Sequence, residues 1–321
     1  MKKVLLATTA LGTLALGIWT ATTYPAIGGI AYRLDARVES TLGGLHAATV
    51  AVSDSQLMTW QGGPATATET VVLIHGYSAD KTVWMRFAPH FTDRYRVLVL
   101  DLPGHGETAF DPALRYDTTS QARRVIEAMD VLGIQRAHIV GNSMGGFIAA
   151  RMALANPQRV QTATLVDAAG VIAPQPSDMD RLVAQGRNPF EVHSRAEFDD
   201  FYAMTMAQPP WVPRMTLDWL ADDYIARRAS LARIFKDFAG VGLLDPHLAE
   251  IRVPVLVMWG AKDRLVHVSA AEVWTRGIPH AQQVIYSDLG HMPMVEDPER
   301  SSADVLRFIT SQPTTAEAKS P

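Results

Sequence analysis

The chain contains no cysteine. That absence excludes disulfides, thiolate metal sites and a lipid-modified N-terminal cysteine, and it is compatible with an oxidising compartment. There is also no run of Lys or Arg that would track a phosphate backbone, and the net charge is −4, so a nucleic-acid partner is not expected. Charge is scarce overall: 19% of residues are charged against 48% hydrophobic, the balance of a globular chain with a large buried core. Neither an internal repeat nor a low-complexity tract is present. His46, His90, His193, His247, His267 and His280 are scattered without ligand-like spacing, so no metal is expected, and no other cofactor is called for.

Charge is missing altogether between Lys3 and Arg33. Met1-Lys2-Lys3 followed by the apolar stretch from Val4 to Ile18 has the layout of a basic n-region and an apolar h-region. Up to Tyr24 the stretch is about 20 residues, roughly the length that spans a bilayer as a helix. Ala21-Thr22-Thr23 is the best, but not a clean, cleavage site. The favoured expectation is a retained anchor, with the lysines cytoplasmic and the body in the cell envelope outside the cytoplasm. The alternative is a cleaved signal that leaves a secreted or periplasmic protein beginning near Tyr24.

Further on, short apolar runs alternate with helical patterns. Strands are expected at 69–74, 95–101, 137–141, 163–167, 254–260 and 283–286. Their fully apolar character suits parallel strands covered on both faces. Between them lie helical segments such as 119–132 and 146–155. The alternation specifies an α/β fold with a mostly parallel central sheet and flanking helices. It breaks at 171–246, where Phe190, Phe198, Phe201, Tyr202, Met204, Met206, Trp211, Trp219, Phe235 and Phe238 accompany Pro209-Pro210 and Pro213. This stretch reads as an inserted helical cap whose aromatic density favours a wide apolar pocket. The expected organisation is an N-terminal signal-anchor or signal peptide and linker (1–32), a first core part (33–170), the cap (171–246), a second core part (247–310) and a flexible tail (311–321).

Gly141-Asn142-Ser143-Met144-Gly145 matches G-x-S-x-G at a predicted strand-to-helix turn. A nucleophile on so sharp a turn needs small residues two before and two after it. Serine is a weak nucleophile and needs a base that a third group orients. With such a turn the chain order is Ser, acid, His. His291 follows the last predicted strand and Asp263 the strand before it, both at carboxyl ends. Asp167, also at a strand end, is the competing acid. The developing oxyanion requires donors, here the backbone N–H groups of Met144 and Tyr77. His75 is expected to brace the oxyanion loop, and Asp101 and His105 to fix the Pro/Gly loop 101–106.

Together, His75-Gly76-Tyr77-Ser78-Ala79-Asp80-Lys81, Asp101-Leu102-Pro103-Gly104-His105-Gly106 and Gly141-Asn142-Ser143-Met144-Gly145-Gly146 resemble the α/β-hydrolase superfamily. More narrowly, they resemble bacterial family V lipases and monoacylglycerol lipases. Val166-Asp167-Ala168-Ala169-Gly170, Asn188-Pro189-Phe190, Gln208-Pro209-Pro210-Trp211-Val212-Pro213, Trp259-Gly260-Ala261-Lys262-Asp263 and Gly290-His291-Met292-Pro293-Met294-Val295-Glu296 extend the likeness. It runs from about Thr70 to Ile309; residues 33–69 match nothing. The resemblance implies ester hydrolysis on acylglycerols, a triad of Ser143, Asp263 and His291, and an oxyanion hole at Tyr77 and Met144. Three rivals follow. Carbon–carbon bond hydrolases of ring-cleavage products share the triad but are usually cytosolic, which the N-terminus opposes. Dehalogenases and epoxide hydrolases of this fold use an aspartate where Ser143 stands. A catalytically silent binding or chaperone module on the same scaffold is opposed by the intact triad.

Overall fold

In the computed structural model, residues 2–312 are described, and in the first helix the side chains of 2–11, 14–15 and 18–23 fall outside the description. Most side chains of the expected anchor segment, and nearly all of the expected tail, therefore lie outside the description. Among the described residues, no helix is long and apolar enough to cross a membrane.

Eight strands form one sheet in the order β1-β2-β4-β3-β5-β6-β7-β8. Strands β3 (Thr70–Ile74), β4 (Arg96–Leu100), β5 (Ala137–Asn142), β6 (Val160–Val166), β7 (Val255–Gly260) and β8 (Gln282–Tyr286) run parallel. Every residue of β3, β5 and β7 is buried, which is why these strands read as continuous apolar runs rather than alternating ones. An antiparallel hairpin, β1 (Leu45–Val52) and β2 (Ser55–Gly62), joins the sheet through β2 and β4. It occupies residues that matched nothing in the sequence.

Helix α2 (Thr118–Val131) begins where the Asp117 carboxylate accepts from the N–H of Ser120, a side-chain cap for an otherwise unpaired donor. Helix α3 (Met144–Ala155) is buried on nearly every side against β5, β6 and α2. Three helices lie between β6 and β7: α4 (Asp178–Ala184), α5 (Arg195–Thr205) and α6 (Arg214–Ala239). Helices α7 (Ser269–Gly277), α8 (Pro293–Glu296) and α9 (Pro298–Thr310) complete the second half.

Helix α1 (Lys2–Leu42) differs from the expected layout. It continues unbroken past residue 32 and packs along α6. Glycine is required at the crossing: a Cβ on Gly28 would lie 2.0 Å from the Met215 carbonyl oxygen, and one on Gly29 would lie 2.4 Å from Trp219 Nε1. Around that contact the Arg33 guanidinium lies 5.3 Å from the centre of the Trp219 ring, and the Tyr32 hydroxyl is 2.6 Å from Thr82 Oγ1.

Candidate active site

Strand β5 delivers Ser143 at a turn that only small neighbours permit. Ser143 has φ 55° and ψ −115°, a conformation that an L-residue adopts only under constraint. A Cβ on Gly141 would come within 2.1 Å of the Gly145 carbonyl oxygen, and one on Gly145 within 2.2 Å of the Ile74 carbonyl oxygen. The two glycines of G-x-S-x-G are thus a packing requirement. The Ser143 N–H donates to the Val166 carbonyl (2.9 Å), and the Ser143 carbonyl accepts from Phe147 N–H and Ala169 N–H.

Strands β7 and β8 deliver the other two residues. His291 Nδ1–H donates to Asp263 Oδ2 at 2.7 Å, both side chains nearly inaccessible to solvent. Asp263 Oδ1 accepts from the N–H groups of Leu265 (2.8 Å) and Val266 (3.0 Å). The imidazole is therefore held as the tautomer whose Nε2 is the acceptor. Asp167 lies in the same cluster, since atoms of Asp167, Asp263 and His291 all fall within 4.8 Å of one another. Its Oδ1 accepts from Gly260 N–H (2.9 Å), and the residue is fully buried with φ 46°. Burial first, and the Asp263 charge second, raise its carboxyl well above the usual range. The structure thus joins His291 to Asp263 and places Asp167 behind that pair, not on the imidazole.

The loop after β3 lies against Ser143, and a Cβ on Gly76 would meet Ser143 Cβ at 3.1 Å. Both ring nitrogens of His75 are committed there: Nδ1–H donates to the Gly76 carbonyl (2.7 Å), and Nε2 accepts from Leu102 N–H (3.0 Å). Burial pushes this histidine down to about 4, so it is neutral at physiological pH. The Tyr77 hydroxyl donates to the Leu231 carbonyl of α6 (2.9 Å), tying the loop to that helix. Met144 opens α3, where a helix leaves its first N–H groups without intrahelical acceptors. Asp101 accepts from Lys81 Nζ (2.6 Å), Lys81 N–H (2.7 Å) and Glu107 N–H (2.9 Å). Burial raises it to about 6, and its three donors make it a loop brace. His105 Nδ1–H donates to the Pro103 carbonyl within that loop (3.1 Å).

Two positioning groups had no role assigned from sequence. Asn142 Nδ2 donates to the carbonyls of His291 (3.0 Å) and Val166 (3.2 Å), binding the histidine loop to the serine turn. Glu296 accepts from Gly290 N–H (2.9 Å), Ala207 N–H (2.8 Å) and Gln208 N–H (2.7 Å), joining the histidine loop to the segment after α5. Both lie inside motifs visible in the sequence, but nothing in the motifs shows their partners.

Phe190 and Phe235 pack on the Tyr77 ring at 5.0 and 5.3 Å, and a cavity of about 40 Å³ remains among Tyr77, Phe190, Arg228 and Phe235. A cavity of about 780 Å³ lies elsewhere, lined by Arg115, Asp117, Arg151, Leu244 and His247.

Comparison with known proteins agrees with this fold. A model of the alpha/beta hydrolase fold matches residues 69–298. Lipase 3 of Moraxella sp. (strain TA144) is 30% identical over 244 residues, 75% of this chain and 77% of that one. The 2-hydroxy-6-oxononadienedioate/2-hydroxy-6-oxononatrienedioate hydrolase of Cupriavidus pinatubonensis is 32% identical over 281 residues, 81% of this chain and 93% of that one. Among solved structures, a membrane phospholipase A described as a bacterial virulence factor superposes with a TM-score of 0.86 at 34% identity, covering 97% of this chain and all of that one. The chain belongs to the alpha/beta hydrolase fold family and is an ester hydrolase.

Proposed function

We propose that the protein is a lipase-type carboxylic-ester hydrolase of acylglycerols in which Ser143 is the nucleophile, His291 the general base and Asp263 its orienting acid. The observation that carries this reading is the 2.7 Å bond from His291 Nδ1–H to a buried Asp263 beside a serine on a strained turn. His291 Nε2 takes the Ser143 proton as Oγ attacks the ester carbonyl. The oxyanion is met by the N–H groups of Met144 and Tyr77. His291 then gives its proton to the leaving alkoxide, and the acyl-enzyme forms. Water, deprotonated by the same nitrogen, releases the fatty acid and restores Ser143.

The test is a chain-length series of p-nitrophenyl esters run beside emulsified triacylglycerol and a ring-cleavage dienoate. kcat/KM is expected to rise from acetate to longer acyl groups by up to about fourfold per CH₂ buried, the equivalent of ~0.8 kcal/mol. Turnover of the dienoate in preference to every ester would instead favour carbon–carbon bond hydrolysis, the reading that the Cupriavidus relative supports.

The proposal extends to location: the uncharged N-terminal segment retains the protein in the membrane, with the catalytic body outside the cytoplasm. The full-length chain is then expected in the membrane fraction after high-salt and carbonate washes, and Leu14→Arg is expected to impair targeting, at about 2.5–3.5 kcal/mol for a charge at the helix centre. A soluble protein whose first residue is near Tyr24 would overturn it.

A further inference from the structure

Two residues in this fold have the same unusual setting. Ser143 follows β5 and Asp167 follows β6, the adjacent parallel strand, and both have positive φ (55° and 46°). At Ser143 the strain is explained by the turn that presents the hydroxyl. At Asp167 it turns a carboxyl beneath the ends of β6 and β7, where nothing in the proposed reaction uses it directly.

The surroundings of the two neighbouring carboxyls differ. Asp263 has four acceptor positions largely filled: two backbone N–H groups on Oδ1 and the imidazole N–H on Oδ2. Such a set leaves one acceptor position for a further donor. Asp167 receives one N–H, from Gly260, on Oδ1. Its Oδ2 is buried with no N–H directed at it, and the Asp167 carboxyl stands against that of Asp263, within 4.8 Å and in hydrogen-bonding contact once one of the two carries a proton. A second buried anion there would be unsolvated on that side and would face a like charge. The other titratable groups around Asp167 are His291 on the loop after β8, Glu296 on α8 and Tyr286 at the end of β8, none of which offers it a compensating cation of its own.

We propose that Asp167 is a positioning residue that keeps its proton at neutral pH and donates it in a hydrogen bond to the Asp263 carboxylate, fixing the carboxylate that in turn fixes His291. The cluster then carries one negative charge, which matches the single positive charge His291 acquires when it takes the Ser143 proton. No proton moves from Asp167 in the cycle. The inference rests on the triad reading for its catalytic consequence, but not for the location of the proton.

Three forms of the full-length protein test it: wild type, Asp167→Asn and Asp167→Ala. Asn preserves both bonds, since its oxygen can accept from Gly260 N–H and its amide can donate to Asp263. Asp167→Asn is expected to retain kcat within about threefold, while Asp167→Ala loses about tenfold to a hundredfold in kcat, the scale of a misplaced catalytic group, with KM little changed. The second measurement is denaturant unfolding at pH 5 to 8. A carboxyl raised in the native state holds a proton that the unfolded chain has released above pH ~4. Wild type therefore loses stability relative to Asp167→Asn as pH rises, by about tenfold in the unfolding equilibrium constant per pH unit until the native carboxyl ionises. A difference that stays flat across that range would show Asp167 ionised in the native protein and overturn the proposal. Loss of activity in Asp167→Asn equal to that in Asp167→Ala would overturn it as well. If Asp167→Ala fails to fold, the unfolding comparison decides alone. If Ser143→Ala were active while the stability slope appeared, the triad reading would fail and the protonated Asp167 would stand.

Discussion

Ser143→Ala is expected to lower kcat by about 10⁶-fold, the scale on which removal of the nucleophile acts in serine-hydrolase triads. The loss comes from the covalent route itself, because no other residue of the turn after β5 carries a hydroxyl. The substitution is also a clean one. Alanine keeps the Cβ that packs near Gly76, and the backbone bonds that hold the turn, from Ser143 N–H to Val166 and from Phe147 N–H to the Ser143 carbonyl, do not involve Oγ. Melting temperature should therefore stay near wild type while turnover vanishes. A fluorophosphonate probe should label wild type and not the variant. Ser78, with φ 61° on the loop after β3, is the competitor because, among the described residues, it is the other serine with positive φ. Persistent labelling at Ser78, or residual kcat above about 1% of wild type, would show that the nucleophile has been misassigned.

The site was legible to the extent that its parts lie on apolar parallel strands. Each of β3, β5, β6 and β7 is short, buried on both faces and rich in Val, Ile and Leu, so its carboxyl end could be located to within a residue or two. Because parallel sheets place their chemistry at that edge, Ser143, Asp263 and His291 could be selected from many serines, acids and histidines. The hairpin β1–β2 was not legible. Its strands mix Thr, Gln, His and Ala, and in β1 only Leu45 and Val50 are buried, five positions apart, so the strand carries no period of two. The closely spaced turn at Ser53-Asp54 was the available signal. Nor did composition show that α1 would continue to Leu42. Once Pro25 is passed, Arg33, Asp35, Arg37 and Glu39 read as the start of a soluble body, whereas the helix persists because Gly28 and Gly29 let it approach α6.

What motifs could not show is which side chains meet. Asp167 and Asp263 are 96 positions apart in sequence and become neighbours only because β6 and β7 pair in register, Val166 opposite Met258. From sequence the two could only be ranked as rival acids. In the folded chain they are not rivals, since one bonds the imidazole and the other stands behind it. Asn142 and Glu296 follow the same rule, as their partners lie on loops brought together by the sheet edge. The aromatic residues of 171–246 were legible as apolar but their partners were not: Phe190 and Phe235 pack on the ring of Tyr77, on the loop after β3.

The second large effect is expected at Asp263. Asp263→Asn should lower kcat by about 10⁴-fold, or about 5.5 kcal/mol of transition-state stabilisation, as tautomer reversal does in the serine-protease triad. The mechanism is specific to the bonds present. Oδ1 is held by the N–H groups of Leu265 and Val266, so the amide oxygen of an asparagine would take that side and its NH₂ would face His291 Nδ1. An imidazole nitrogen opposite an NH₂ must act as acceptor, which places the ring proton on Nε2 and leaves no base for Ser143. The neighbouring Asp167 makes a further outcome measurable. Without the Asp263 charge beside it, its carboxyl ionises at lower pH than in wild type, and residual activity of Asp263→Asn should climb with pH as that negative charge becomes available to the imidazolium. Adding Asp167→Asn should remove the climb without lowering the neutral-pH rate much further. If Asp263→Asn costs less than tenfold and Asp167→Asn alone costs 10³-fold or more, the acid is Asp167 and the 2.7 Å bond to Asp263 is not the catalytic one.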